Sequence, residues 1–207
     1  VTERTYQQRC PIARALDVVG ERWGLLIVRE LHLGPMRYGD LRAALPAMGT
    51  RVLADRLKEL VSRDVIAATD EGYALTARGA ALLPVLGALA TWGEPLLARE
   101  VPGDASPPST VALLLMSRVV ALPRAGEGVF QLRIDGQPIV LTVAGVETRV
   151  KRGETSACEG EISLTVDAAI ALLDERSTVA EEIERGRMTL SGLTRRRVRE
   201  LFGFRLG

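Results

Sequence analysis

Apolar residues in the first hundred positions recur at helical spacing in short blocks, alternate briefly, and then return to helical spacing. Residues 10–20, CPIARALDVVG, put Ile12, Leu16 and Val19 on one stripe, with Pro11 at a helix start where its missing N–H costs nothing and Gly20 as a stop. Residues 23–34, WGLLIVRELHLG, carry Trp23, Leu26, Ile27, Leu31 and Leu33 and close on Gly34-Pro35, which predicts a second helix. RYGDLRAALP predicts a short third helix with Leu41 and Leu45 inward and Pro46 as its terminator. A fourth helix is expected from Thr50 as N-cap, with Leu53, Leu57, Leu60 and Val61 at i, i+4, i+7 and i+8, and with Arg51, Ala54, Asp55 and Lys58 on the opposite face. VIAATDEGYAL then reads as two short strands about Asp70, Glu71 and Gly72, after which Thr76 caps another helix.

A helix that buries leucines on one side, follows a short helix through a Pro/Gly turn and shows polar, basic residues outward has the geometry to enter a major groove. The order of helices followed by a small hairpin is that of a winged helix-turn-helix. Residues 37–63 hold six basic and three acidic side chains, a local net charge of +3 in a chain whose total is +1.

The combination Cys10-Pro11, Gly20, Trp23, Leu25-Leu26-Ile27, Arg29-Glu30-Leu31, Gly34-Pro35, Arg37-Tyr38, Leu53, Arg56-Leu57 and Leu60 resembles the HxlR family of bacterial winged-helix regulators over about residues 8–97. The resemblance implies a homodimer on a two-fold symmetric double-stranded DNA operator, with dimer contacts from the N-terminal segment and the helix after the wing. The DNA-contacting candidates are Arg37, Tyr38, Thr50, Arg51, Ala54, Asp55 and Lys58. The wing departs from the family pattern: it is short, and the acidic pair Asp70 and Glu71 at its tip is repelled by phosphate, so it is not expected to grip the backbone. Some family members sense oxidants through a cysteine near the position of Cys10. A thiol at a helix start suits a redox switch, and a small half-apolar side chain suits simple packing; both readings stay open at Cys10.

Residues 76–97 predict one long helix, kinked at Pro84, with Leu82, Val85, Leu86, Leu89, Trp92 and Leu96 along a stripe suited to a dimer seam or to packing on the first helix. VPGDASPPS, rich in Pro, Gly, Ser and Asp, marks a boundary. The expected domains are therefore 1–100, a linker at 101–108, and 109–207.

Beyond the linker, Ser109 is placed to cap an apolar helix, and the period then changes to two. Phe130, Leu132, Ile134; Ile139, Leu141, Val143; Val146, Thr148, Val150; and Ile162, Leu164, Val166 alternate with polar residues, and Asp135-Gly136 supplies a turn. An antiparallel sheet with one apolar face follows, roofed by helices near Asp167, Thr178 and Thr194, so the second half is α+β. Its element order and the stretch LTVDAAIALLDE…GRMTLSG resemble the sterol-carrier-protein fold over about 109–207, which implies an apolar cavity between sheet and helices. Phe130, Leu132, Leu141, Val143, Ile170, Ile183 and Phe202 are the residues that would either line such a cavity for an apolar or lipid ligand or fill a solid core.

Chemistry is sparse. His32 is the sole histidine and reads as a surface or capping residue. One His and two separated Cys assemble no metal site, and Gly126-Glu127-Gly128 reads as a turn. No cofactor and no enzymatic activity are expected. The run Arg195, Arg196, Arg197 and Arg199 reads as a solvated helix face paired with Glu181, Glu182 or Glu184, or as a further DNA contact. The polar start VTERTYQQR does not read as a signal peptide, and VALLLM is too short to span a bilayer, so no signal peptide and a cytoplasmic protein with no membrane contact are expected. The function expected is a ligand-responsive, sequence-specific transcription regulator. The alternatives are a redox-responsive regulator acting through Cys10 and a lipid carrier whose first half only dimerises.

Overall fold

The computed structural model describes residues 5–93, 96, 107–122, 126–145 and 147–207. The chain divides into two compact units, residues 1–86 and 87–207. The expected linker falls mostly on 101–106, and the expected strand position Val146 stands alone; both lie outside the described residues.

The first unit follows the apolar pattern closely. Helices α1 (Pro11–Val19), α2 (Gly24–Leu31), α3 (Tyr38–Ala44) and α4 (Thr50–Ser62) precede a hairpin of β1 (Ile66–Thr69) and β2 (Gly72–Leu75), then α5 (Ala77–Ala80) and the start of α6 (Leu83–Gly93), whose residues from Gly87 on belong to the second unit. Ile27, Val28, Leu31, Leu33, Leu41, Leu45, Leu53, Leu57 and Leu60 are buried together with Met36 and Met48, two turn residues outside any periodic run. Gly72 has φ +121, and a Cβ there would meet the Met36 carbonyl oxygen at 2.4 Å, because Met36 pairs with Tyr73 as a third edge of the hairpin. No other residue type fits that approach.

Several local expectations are corrected. Gly49, not Thr50, is the N-cap of α4, and Thr50 is its first helical residue. Val61 faces solvent, as do Ile12 and Leu16 on α1. The long helix with a kink is two helices: Ala81 and Leu82 interrupt it, so Pro84 falls in the first turn of α6, where its missing N–H is tolerated. Thr76 does cap α5, its hydroxyl accepting the Gly79 N–H at 3.0 Å.

The second unit contains α7 (Pro108–Ala121), β3 (Gly128–Ile134), β4 (Gln137–Ala144), β5 (Glu147–Arg152), β6 (Glu161–Leu164), α8 (Val166–Leu173), α9 (Val179–Glu184), β7 (Met188–Ser191) and α10 (Arg195–Phe202). Pro107 is the N-cap of α7 and Ser109 lies inside its first turn, in place of the expected Ser109 cap. The sheet order is β5-β4-β3-β6-β7, and the expected antiparallel sheet has one parallel pair, β3 with β6, at its centre. The chain makes the meander β3-β4-β5 and returns through Gly153–Gly160 to the free edge of β3, where it runs parallel. Asp135 and Gly136 both have positive φ, the geometry of a two-residue hairpin turn, and the Asp135 carboxylate accepts the Val166 N–H at 3.1 Å.

Alternation along the strands translates into burial: Phe130, Leu132, Ile134, Ile139, Leu141, Val143, Ile162 and Leu164 are all buried. Helix α7, with Val111, Ala112, Leu113, Leu115 and Val119 buried, packs on β3, β4 and β5, so it joins the later helices in covering the sheet. Gln131 points to the other face yet is buried, since its Nε2 donates to the carbonyls of Leu132, Ile139 and Gly153 and its Oε1 accepts the Thr155 N–H at 2.9 Å. That network pins the return loop under which it lies.

Candidate DNA interface and apolar cleft

Helix α4 is anchored from its apolar side by Leu53, Leu57 and Leu60, which leaves Arg51, Ala54, Asp55 and Lys58 exposed on the opposite stripe. Thr50 is exposed at its first turn, and the Tyr38 hydroxyl donates to the Thr50 carbonyl at 3.0 Å, joining the start of α3 to the start of α4. Arg37 is the exposed N-cap of α3, where its N–H is received by Asp40 at 3.2 Å. All seven candidates therefore belong to two adjoining helix starts and one helix face.

The local charge excess is smaller on that face than in the sequence. Arg42 donates to the Pro46 carbonyl at 3.1 Å and closes the end of α3. Arg56 bonds Glu59 and reaches Glu21 at 3.4 Å, clasping α4 to the loop before α2. Arg37, Arg51 and Lys58 remain as exposed cations beside Asp40 and Asp55. Asp70 and Glu71 are exposed at the hairpin tip, as expected.

Cys10 is half-buried at the N-cap of α1, makes no capping hydrogen bond through its side chain, and forms no disulfide. His32 is the C-cap residue of α2; it is buried rather than on the surface, with Nδ1 on the Arg29 carbonyl. On α10, Arg196 pairs with Glu200 and Arg197 with Glu159, rather than with Glu181, Glu182 or Glu184. Arg197 also stacks over the Phe130 ring, 5.1 Å from its centroid. Among the described residues no cluster of His, Cys, Asp or Glu could hold a metal ion, and no helix is long and apolar enough to cross a membrane.

A cleft of about 210 Å³ in the second unit is lined by Ala90 and Gly93 of α6, Thr110 and Leu114 of α7, and Ile170, Leu173 and Asp174 at the end of α8. Of the seven residues expected around a cavity, Ile170 alone is among these. Phe130, Leu132, Leu141, Val143 and Phe202 are fully buried, and Ile183 is half-buried on α9; these six lie outside the described lining of this cleft. The cleft lies between helices, not between sheet and helices. Periodicity could not have disclosed it, since Gly93, Thr110 and Asp174 belong to no apolar stripe. The cleft wall depends on a close helix crossing: a Cβ on Gly87 would stand 2.9 Å from the Ser117 hydroxyl.

A helix pair with an outward basic face, followed by a two-stranded hairpin, defines a winged helix-turn-helix protein of the transcription-regulator class. The HxlR-like helix-turn-helix family matches residues 18–101, and the chain belongs to that family. One relative, the uncharacterized HTH-type transcriptional regulator YvaP of Bacillus subtilis, is 43% identical over 93 residues, covering 41% of this chain and 86% of its own length. Among solved structures, quinone-bound YodB of B. subtilis is 32% identical with a TM-score of 0.40, covering 42% of this chain and 99% of that one. The sterol carrier protein 2 like 2 of Aedes aegypti is 23% identical with a TM-score of 0.36, covering 42% of this chain and 85% of that one.

Proposed function

We propose that this protein is a dimeric, sequence-specific transcription regulator whose operator affinity is modulated by a small apolar molecule bound in the second unit. The observation that carries the reading is the exposed stripe Arg51, Ala54, Asp55 and Lys58 on α4, held outward by a fully buried leucine stripe. In this reading Arg37, Tyr38 and Thr50 contact the same duplex, and the acidic hairpin tip stays off the phosphates. Selection of an operator from random duplexes, followed by salt-titrated anisotropy, tests it. Steep salt dependence without sequence preference would leave only non-specific binding, and no binding would favour a lipid carrier whose first unit dimerises.

Dimerisation is supported by two solvent-facing apolar stripes, Ile12 and Leu16 on α1 and Val85, Leu89 and Trp92 on α6; Trp92 is 72% exposed. A second copy of the chain is the partner proposed for them. Trp92→Glu is expected to convert the dimer to monomer in sedimentation equilibrium and to weaken operator binding, because a single recognition helix reads only a half-site. A variant that remains dimeric removes α6 from the seam.

Ligand control requires different affinities for the DNA-competent and incompetent states. A coupling of about 1–3 kcal/mol would change operator affinity about 5- to 150-fold. Helix α6 supports such a coupling, since its first residues belong to the first unit and Ala90 and Gly93 line the cleft. Cys10 is read as a packing residue: Cys10→Ser is expected to keep operator binding before and after diamide. Loss of binding on oxidation in the native protein alone would replace the ligand switch with a thiol switch.

A further inference from the structure

We infer that the cleft between α6, α7 and α8 takes a compact apolar molecule ending in a hydrogen-bond donor, a hydroxyl or an ammonium group, and rejects carboxylate-headed lipids. This rests on the ligand-responsive reading for the choice of site and names its ligand class.

Three features of the cleft carry the inference. The first is size. A cavity of about 150 Å³ holds benzene, so 210 Å³ seats on the order of ten heavy atoms. A sixteen-carbon chain or a sterol would leave most of its apolar surface in water. The second is polarity. Ala90, Gly93, Leu114, Ile170 and Leu173 supply an apolar wall, and Thr110 of the same lining has a buried hydroxyl with no hydrogen-bond partner among the described residues. A buried hydroxyl without a partner is costly, and a ligand hydroxyl or ammonium satisfies it.

The third is charge. Among the described lining residues Asp174 is the one ionisable group, and none is a cation. Arg176 reaches Asp174 from outside the lining, with both of its bonds, 2.9 and 2.6 Å, going to Oδ2. Asp174 is also the C-cap of α8, so a helix C-terminus with its partial negative charge stands at the cleft. The start of α7 near Thr110 brings the opposite partial charge, which offsets the α8 end and leaves the Asp174 carboxylate to set the sign. An anionic headgroup there meets the Asp174 carboxylate, whose paired Arg176 lies outside the described lining; a donor finds Asp174 and Thr110.

The wall is rigid where it matters for shape. Arg118 of α7 donates to the Leu173 carbonyl at 2.6 Å and so fixes the end of α8 against α7. The crossing of α6 over α7 at Gly87 and Ser117 sets the opposite wall.

The test is calorimetry on the full chain, without DNA, using phenylbutanol, phenylbutylamine, phenylbutyrate and palmitate as probes. The alcohol and the amine are expected to bind, with phenylbutyrate at least about tenfold weaker and palmitate no tighter than phenylbutyrate. Ala90→Phe, which fills the cleft, is expected to weaken the alcohol and the amine at least about tenfold. Asp174→Asn, at a partly exposed helix end, is expected to remove the preference of the amine over the carboxylate while leaving the alcohol bound. Tightest binding by palmitate or phenylbutyrate, no binding by any probe, or an amine preference that survives Asp174→Asn overturns the inference. Binding as described with unchanged operator affinity leaves this inference standing and sinks the ligand-responsive reading.

Discussion

Replacing Arg185 and Arg187 together with alanine is expected to cost about 3–5 kcal/mol of folding stability at neutral pH, the range for leaving a buried charge without its partner. The charge is Glu182, whose side chain is wholly enclosed while its partners reach in from the surface. Arg185 Nη1 and Arg187 Nη2 each donate to Glu182 Oε1 at 2.8 Å, and Arg185 also donates to the Ser177 hydroxyl at 2.9 Å. Burial pushes the Glu182 carboxyl up, but hydrogen bonds involving Ser177, Arg187 and Arg185 outweigh it and hold the group below the ordinary carboxylate range. The stabilisation is therefore fully present above the unfolded value of 4.5 and is lost as pH falls through the lower folded value. In the double variant burial acts without the two cations, so the folded carboxyl rises and protonation on acidification relieves the strain. Urea unfolding followed by circular dichroism should show the gap between native and variant closing from pH 7 to about pH 4. Glu182→Gln should cost less than the double variant, because both arginines can swing into water. A gap independent of pH would mean that lost packing, not the buried charge, sets the cost.

Much of this architecture is legible from periodicity, and the exceptions share a cause. Leu53, Leu57 and Leu60 declare the buried side of α4 because burial and helical spacing coincide, and with them the outward set Arg51, Ala54, Asp55 and Lys58. Phe130, Leu132 and Ile134 declare a strand in the same way. Strand order is not written in alternation: β3 pairs in parallel with β6 because the return loop crosses to the free edge, and the residue that secures the loop, Gln131, looks like any polar outward residue. Capping positions shift back where glycine or proline precedes the hydroxyl, by one residue at Gly49-Thr50 and by two at Pro107-Pro108-Ser109. The cleft was invisible for a stronger reason. Its wall joins two consecutive helices to α8, four strands further along the chain, and its polar members Thr110 and Asp174 lie at helix ends, where one residue type serves capping and recognition alike.

Arg51→Ala is expected to weaken operator binding by about 1–3 kcal/mol and to relax the base preference at one position in each half-site, the signature of a lost guanine contact. Arg51 is the second residue of α4 and is exposed, and the amino-terminal part of a recognition helix is what approaches base edges. Lys58, two turns further along the same stripe, lies where a helix seated in the groove runs towards the phosphates. Lys58→Ala should therefore weaken all sequences alike and flatten the salt slope by about one unit, with base preference intact. Asp55 lies between them and opposes phosphate, so Asp55→Asn should tighten binding to every duplex. Arg56→Ala serves as the contrast: it breaks the clasp to Glu59 and Glu21, so its effect should appear in thermal stability before it appears in base preference. The measurement is a salt titration of each variant on the selected operator and on a scrambled duplex. Equal losses on both duplexes for Arg51→Ala would place Arg51 on the backbone, and unchanged affinity in both Arg51→Ala and Lys58→Ala would remove α4 from the reading of DNA.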